Sequence, residues 1–208
     1  MFRSLFSPDN PLMITMSQIT DCIFLSLFWF VGCVPLVTVG ASTAALYDAV
    51  YHGFRKGQKH CWQRFWQSYQ QNLKPGLIPS VLFLAVSAAL VWGGVQMWNS
   101  AVYGQISWAF FAGVGFLLVV VFGILSILFP MLSRFENPTA VLFANTFRLG
   151  MARLPLAVAL GLLNTVSAIL CAVYVIPLFF LPALSALLGT LFIEPMFKPY
   201  MPKDEDAA

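Results

Sequence analysis

The chain has 208 residues, of which 60% are hydrophobic and 9% are charged. A soluble domain carries about a quarter charged residues, so the few charges of this chain cannot cover the surface of a soluble protein. The composition therefore excludes a soluble globular protein and predicts an all-α, polytopic transmembrane helix bundle. The formal net charge of +3 comes from basic residues in a few loops, which indicates membrane topology rather than nucleic-acid binding.

Three long stretches, 22–47, 75–133 and 154–193, contain no Asp, Glu, Lys or Arg. A helix that crosses a bilayer needs about 20 apolar residues. We therefore predict membrane segments near 19–36, 76–98, 105–132, 155–176 and 178–196. Trp98, Tyr103 and Trp108 flank the turn between the second and third of these, as an aromatic belt at a membrane face would. Residues 1–208 are expected to form a single integral membrane domain.

A further helix is predicted near 41–56, after Pro35 and Gly40 interrupt the first apolar stretch. It is short for a span and carries Asp48 and His52. Two topologies fit. Either this helix crosses the membrane, which gives six segments and a cytoplasmic N-terminus, or it is re-entrant or interfacial, which leaves five spans and an N-terminus outside. We prefer six segments.

Basic residues cluster in two loops and in the tail, and the cytoplasmic side of a membrane protein should hold them. They are Arg55, Lys56, Lys59, Arg64 and Lys74 in the first loop, Arg134, Arg148 and Arg153 in the second, and Lys198 and Lys203 in the tail. We expect both loops and both chain termini on the cytoplasmic side of a bacterial cytoplasmic (inner) membrane.

The first basic loop is predicted to hold a cytoplasmic amphipathic helix at 60–73, which ends where Lys74 is followed by Pro75. Its apolar positions recur with helical spacing; they are Trp62, Phe65, Trp66, Tyr69 and Leu73. Aromatic side chains on one face suit the headgroup boundary. The helix is either a connector that lies on the membrane or a docking face for a partner subunit.

The second basic loop is predicted to hold a similar helix at 138–151. Asn137 is a favourable N-cap and Pro138 a favourable first helical residue. Phe143 and Phe147 lie on the apolar face, and Arg134 and Glu136 precede the helix at the inner interface; the segment is either an interfacial anchor or a contact site for another protein.

Catalytic and metal-binding patterns are absent from the sequence. There are two histidines, and no HExxH, GxSxG, P-loop or dinucleotide motif occurs. We therefore expect no enzyme activity, no cofactor and no metal site. Asp48 and His52, at positions i and i+4, could share a proton if they face an interior cavity, or they could be structural. Glu194 is expected to reach toward Lys198.

Four segments together resemble the YesL-like family of bacterial membrane proteins, a domain of unknown function. They are residues 28–47 (FWFVGCVPLVTVGASTAALY), 64–69 (RFWQSY) with Asn72 and Leu73, 129–137 (FPMLSRFEN), and 197–200 (FKPY). The first includes Pro35, Thr38 and Gly40, which fit a turn that packs two helices together as well as they fit a ligand site. No catalytic residue is implied.

The resemblance implies a link to sugar uptake, because members of this family tend to be encoded beside carbohydrate ABC importers. The leading hypothesis is a non-catalytic accessory subunit or assembly factor that binds the importer permease within the lipid bilayer. The alternative is a small autonomous solute transporter or channel, including a homo-oligomeric one, with Asp48 and His52 as its coupling pair.

Overall fold

The computed structural model describes residues 11–58, 60–104, 107–135 and 138–198, and within these ranges it is helical without β-strands. The α-helices are α1 (Pro11–Cys33), α2 (Val39–Val50), α3 (Cys61–Val102), α4 (Trp108–Ser126), α5 (Leu128–Arg134), α6 (Thr139–Ala152), α7 (Leu154–Val173) and α8 (Leu181–Phe197). A π-helical turn, Tyr51–Arg55, extends α2, and short 3₁₀ segments lie at Leu36–Thr38 and Ile176–Phe179.

Within the described ranges, four helical stretches are long and apolar enough to cross a membrane, which agrees with the predicted class. They are Met16–Cys33, Cys61–Val102, Trp108–Arg134 and Leu154–Val173, and α8 is a shorter apolar helix. α2 has 12 residues and is about 18 Å long, which is less than the thickness of the hydrocarbon core, about 30 Å.

α2 lies at the centre of the fold, in contact with α1, α3, α5 and α8. Its sequence is rich in small residues, and Ala41, Ala44, Ala45 and Ala49 are all buried. Small side chains let neighbouring helix backbones approach closely, which is the main source of packing energy between helices in a membrane. This explains why a helix with so little side-chain volume forms the core.

The predicted break at Lys74 and Pro75 is wrong, because α3 runs without interruption from Cys61 to Val102 and contains Pro75 and Pro79. An interior proline removes a backbone hydrogen bond and costs about 3 kcal/mol. Packing of the residues after Pro75 against α2 offsets this cost: Gly76 lies against the backbone of α2, and Ser80 accepts a hydrogen bond from the Gly40 N–H at 2.9 Å.

The predicted segment 105–132 is divided into α4 and α5 at Ile127, whose N–H donates to the Ile124 carbonyl rather than one residue further back. Pro130 explains the division, because it has no N–H to donate to the Ser126 carbonyl. α6 begins and ends within one residue of the predicted 138–151, while the proposed cap Asn137 lies outside the described residues.

α4 and α7 pack face to face through glycines. Gly123 lies against the Ala157 carbonyl and Gly161 against the Val119 carbonyl, so that a Cβ atom at either position would clash with backbone. At the far end of α4 the rings of Trp98, Trp108 and Phe111 form an edge-to-face cluster. The predicted aromatic belt thus includes a direct contact between Trp98 and Trp108, with ring centroids 5.8 Å apart.

Candidate functional site

Asp48 is a buried carboxylate held by two partners. It lies in the last turn of α2 and is 3% exposed. Arg64, in the first turn of α3, donates to it through Nε at 2.7 Å from Oδ2 and through Nη2 at 3.3 Å from Oδ1. His52 Nδ1 lies 3.0 Å from Oδ1. The predicted pair of Asp48 and His52 is therefore part of a triad with Arg64.

The balance of interactions keeps Asp48 ionised. Burial by itself raises the pKa of a carboxyl group. Hydrogen bonds from His52 and Arg64, together with the positive charge of Arg64, outweigh burial and leave the pKa of Asp48 below its usual value of 3.8. These interactions stabilise the Asp48 carboxylate as an anion.

Glu194 on α8 forms a second buried network. Its Oε1 accepts hydrogen bonds from Tyr47 Oη at 2.8 Å and from Arg134 Nη2 at 3.0 Å. The Arg134 guanidinium also lies over the Tyr51 ring, 3.8 Å from its centroid, in a cation–π contact. The expectation that Glu194 reaches toward Lys198 is wrong, because its partner is Arg134 on α5. Both side chains are buried in the bundle, where an unpaired charge would be costly.

The two networks meet on α2, and we call their residues the polar cluster: Tyr47, Asp48, Tyr51, His52, Arg64, Arg134 and Glu194. Tyr47 and Asp48 are consecutive, as are Tyr51 and His52, whose rings pack edge to face at 5.2 Å. Arg55 adds a link to α8 by donating to the Thr190 carbonyl at 3.3 Å. The polar cluster therefore ties α2, α3, α5 and α8 together through charge.

The predicted turn at Pro35, Thr38 and Gly40 lies where α1 meets α2. The Thr38 hydroxyl is 2.8 Å from the Gly32 carbonyl, in the last turn of α1, and 2.7 Å from the Pro35 carbonyl in the turn that follows, so its one hydrogen is shared between them. A Cβ atom on Gly40 would lie 2.5 Å from a ring carbon of Phe129. Only glycine allows α2, α3 and α5 to meet at this point.

The predicted apolar face of 60–73 is split by the structure. Phe65 is buried, Tyr69 is half-buried and stacks on it, and Trp62 and Trp66 are 53% and 56% exposed. The stripe of α3 that faces the core also includes Ser68 and Asn72, which bond to each other. Hydrogen bonding between their side chains lets these two polar residues lie on the core-facing side of α3, although the apolar pattern did not include them.

The predicted contact residues of the second loop also differ in position. Phe143 packs half-buried against the core, and Phe147 is 62% exposed. Arg134 is not available at the surface, since its side chain is 10% exposed and paired with Glu194. Glu136 lies outside the described residues.

A cavity of about 260 Å³ is lined by residues of α1, α2, α3, α4, α5, α7 and α8. Its walls are mostly apolar, with Phe83, Phe122 and Leu160 among them, and Tyr47 of the polar cluster borders it. Asp48 and His52 do not line it. No local pattern in the sequence predicts this cavity, because its walls come from seven helices that are distant from one another in the chain.

Among the described residues, no three His, Cys, Asp or Glu side chains come together in a way that could hold a metal ion. The comparison with known proteins points to one family. Residues 22–93 match the family described as "Protein of unknown function, DUF624". The matched region runs from α1 through α2 into α3 and contains Gly40, Asp48, His52 and Arg64. No curated protein and no solved structure matches the chain.

Proposed function

We propose that this chain is a non-catalytic, multi-pass protein of the bacterial cytoplasmic membrane that acts by binding another membrane protein. Its buried charges support this function. Asp48 and Glu194 are each paired with an arginine and further hydrogen bonded, so both are used to hold helices together. The partner that the YesL-like resemblance implies is the permease of a carbohydrate ABC importer, with this chain as an accessory subunit or assembly factor.

The observation that carries the proposal is the exposed pair Trp62 and Trp66. Both are more than half exposed, and they lie one helical turn apart at the start of α3. The surface around them is polar and includes exposed Gln63, Gln67 and Gln70, so it is unlike a lipid-facing surface. Large apolar side chains exposed within a polar surface mark protein interaction sites, and tryptophan is enriched among the residues that dominate binding energy.

Co-purification in mild detergent tests this function. The tagged protein should recover permease subunits, and the double substitution Trp62→Ala with Trp66→Ala should abolish the recovery. Trp92→Ala is the matched control, since Trp92 is a 70% exposed tryptophan further along the same helix in an apolar surface. Recovery of the protein alone, together with unchanged sugar uptake in a deletion strain, would refute the proposal.

A small autonomous transporter is the competing function, and the cavity beside Tyr47 is the observation that favours it. The reconstituted protein would then move a solute across vesicles without a partner. Asp48→Asn would abolish that flux if Asp48 and His52 couple transport to protons. We expect no flux, because Asp48 lies away from the cavity and is already held by Arg64.

The topology that we propose starts from the hairpin of α1 and α2. Ser42 donates to the Trp29 carbonyl at 2.9 Å, and Leu25 packs with Ala45 and Ala49, so the two helices run antiparallel. The start of α1 is then on the same side as the basic loop that follows α2. Because basic loops are cytoplasmic, the N-terminus is cytoplasmic in this proposal, and the basic tail with Lys198 and Lys203 is placed on the same side by the same rule.

We further propose that this hairpin stops short of the opposite membrane face. α2 lies beside the segment of α3 from Cys61 to Ser80, and α3 continues beyond it for another 22 residues. Cysteine labelling tests the arrangement in a background without native cysteines. An impermeant maleimide added outside should label a Tyr103→Cys variant but not a Leu36→Cys variant; equal labelling would mean that 41–56 crosses.

A further inference from the structure

The cavity that Tyr47 borders has an unusual distribution of polar groups. Most of those that line it are already hydrogen bonded within the chain. Trp29 Nε1 donates to Thr43, Tyr47 to Glu194, and the hydroxyls of Ser126 and Ser185 donate to backbone carbonyls of their own helices. These groups leave little capacity to bind a polar ligand.

Apart from the weakly polar Cys171 thiol, the exceptions are Asn164 and Ser167. Both line the cavity from α7, and among the described residues neither side chain has a hydrogen-bond partner. They are three residues apart, so they lie on the same face of the helix. An amide and a hydroxyl without partners, within an otherwise apolar wall, provide a binding site for a single polar group.

The size and position of the cavity restrict its occupant. An apolar cavity of about 150 Å³ holds a benzene molecule, so about 260 Å³ accommodates one alkyl chain segment but not a whole phospholipid. Ala168 lines the cavity and is exposed, next to the exposed apolar residues Val166 and Ile169. The cavity thus reaches the apolar outer surface of α7, where the surrounding medium is lipid.

We propose that this cavity binds the apolar chain of a membrane amphiphile, and that Asn164 and Ser167 bind its hydroxyl or carbonyl oxygen. A chain of this kind reaches the site from the bilayer. Once bound, it supplies van der Waals contacts to the side chains that line the cavity. The site is independent of Trp62 and Trp66, and it requires no protein partner.

Photolabelling in phosphatidylcholine nanodiscs tests the site with two probes. One is a C16 alcohol that carries a diazirine and an alkyne, and the other is the matching hydrocarbon without the hydroxyl. The alcohol should label the α7 and α8 residues that line the cavity, and excess hexadecanol should compete. Labelling that hexadecanol does not reduce, or that is spread evenly over the exposed helix faces, would overturn the proposal.

Three variants locate the occupant. Ala186→Phe fills the cavity and should remove the competable labelling, whereas Ala112→Phe, on the exposed face of α4, should leave it unchanged. Gly189→Ala is a milder filling variant, because the nearest atom to the added carbon is 3.7 Å away; it should lower labelling even if the phenylalanine variant does not fold. Labelling that persists in every folded filling variant would refute the site.

Asn164→Leu tests the polar end. It should lower labelling by the alcohol about fivefold, as expected for the loss of one hydrogen bond. Labelling by the hydrocarbon should stay the same or increase. An equal change with both probes would show that Asn164 does not bind the hydroxyl.

Discussion

α2, which carries part of the polar cluster, and the outer arm, which we define as residues 81–102 of α3 and 108–118 of α4, both contain glycines and alanines but in opposite surroundings. Around the polar cluster, the glycine and alanines of α2 are buried against other helices. In the outer arm, Ala101 is the only buried residue among those described, and the glycines Gly93, Gly113 and Gly115 have no other atom near the position of a Cβ.

The difference separates packing within the protein from contact with lipid. Where α2 is enclosed by protein, each small residue permits a close helix contact and each charge has a defined partner. Where the outer arm is exposed, helix length and apolar character are sufficient, and the identity of each side chain matters little. Substitutions should therefore have large effects in the first region and small ones in the second.

The largest effect is expected from Arg134→Met. It leaves the Glu194 carboxylate buried without its cation, and breaking a buried pair costs about 3–5 kcal/mol. The free energy of unfolding in mixed micelles measures the loss. The double substitution of Arg134→Met with Glu194→Gln should recover most of it, because no unpaired charge remains. A single variant as stable as the wild type would mean that the pair contributes nothing.

The next prediction compares the same substitution, glycine to alanine, at a packed and at an exposed position of α4. The two variants are Gly123→Ala and Gly113→Ala. At Gly123 the added methyl would clash with the Ala157 carbonyl, and overpacking of this kind costs about 1–3 kcal/mol. At Gly113 there is open space, so the change should stabilise the helix by about 0.5–1 kcal/mol. The same unfolding measurement applies, and equal effects at the two sites would contradict the α4–α7 contact.

Acidification tests the Asp48 triad. The folded-state pKa of Asp48 lies below its usual value of 3.8, so the stabilisation is complete above that value and is lost as pH falls through the folded-state pKa. Arg64 is 42% exposed, which limits the contribution of the pair to about 1 kcal/mol. Thermal unfolding between pH 7 and pH 3 should show a smaller loss for Asp48→Asn than for the wild type. Parallel curves would show that Asp48 is not stabilised as an anion.

The sequence predicted those parts of the structure that depend on local pattern. The helical class, the long apolar segments and the limits of α6 follow from charge-free stretches and helical spacing. The partner of Glu194 could not be found in this way, because Arg134 lies 60 residues away and no local pattern specifies the pairing. Pro75 was misjudged for the same reason: its local cost is offset by contacts with α2, about 35 residues earlier in the chain.

The partners of Asp48 show the same limit. His52 lies four residues away and is predicted from spacing, while Arg64, which makes the shorter contact, is predicted only as one of the basic residues of the first loop. A buried carboxylate needs a cation, and Arg64 is one of several basic residues in the loop that follows α2. Burial of Asp48 was the missing information, and it depends on the packing of α1, α3 and α8 around α2.

The smallest effect is expected from Trp62→Ala and Trp66→Ala. Both side chains are more than half exposed, so each substitution should change the free energy of unfolding by no more than about 0.5 kcal/mol. Phe65→Ala, between them on α3 but buried, should cost about 3–5 kcal/mol and serves as the contrast. If the tryptophan variants unfold as the wild type does, their failure to recover a permease reflects lost binding. A large loss of stability would instead make these tryptophans part of the core and remove the main support for the interaction surface.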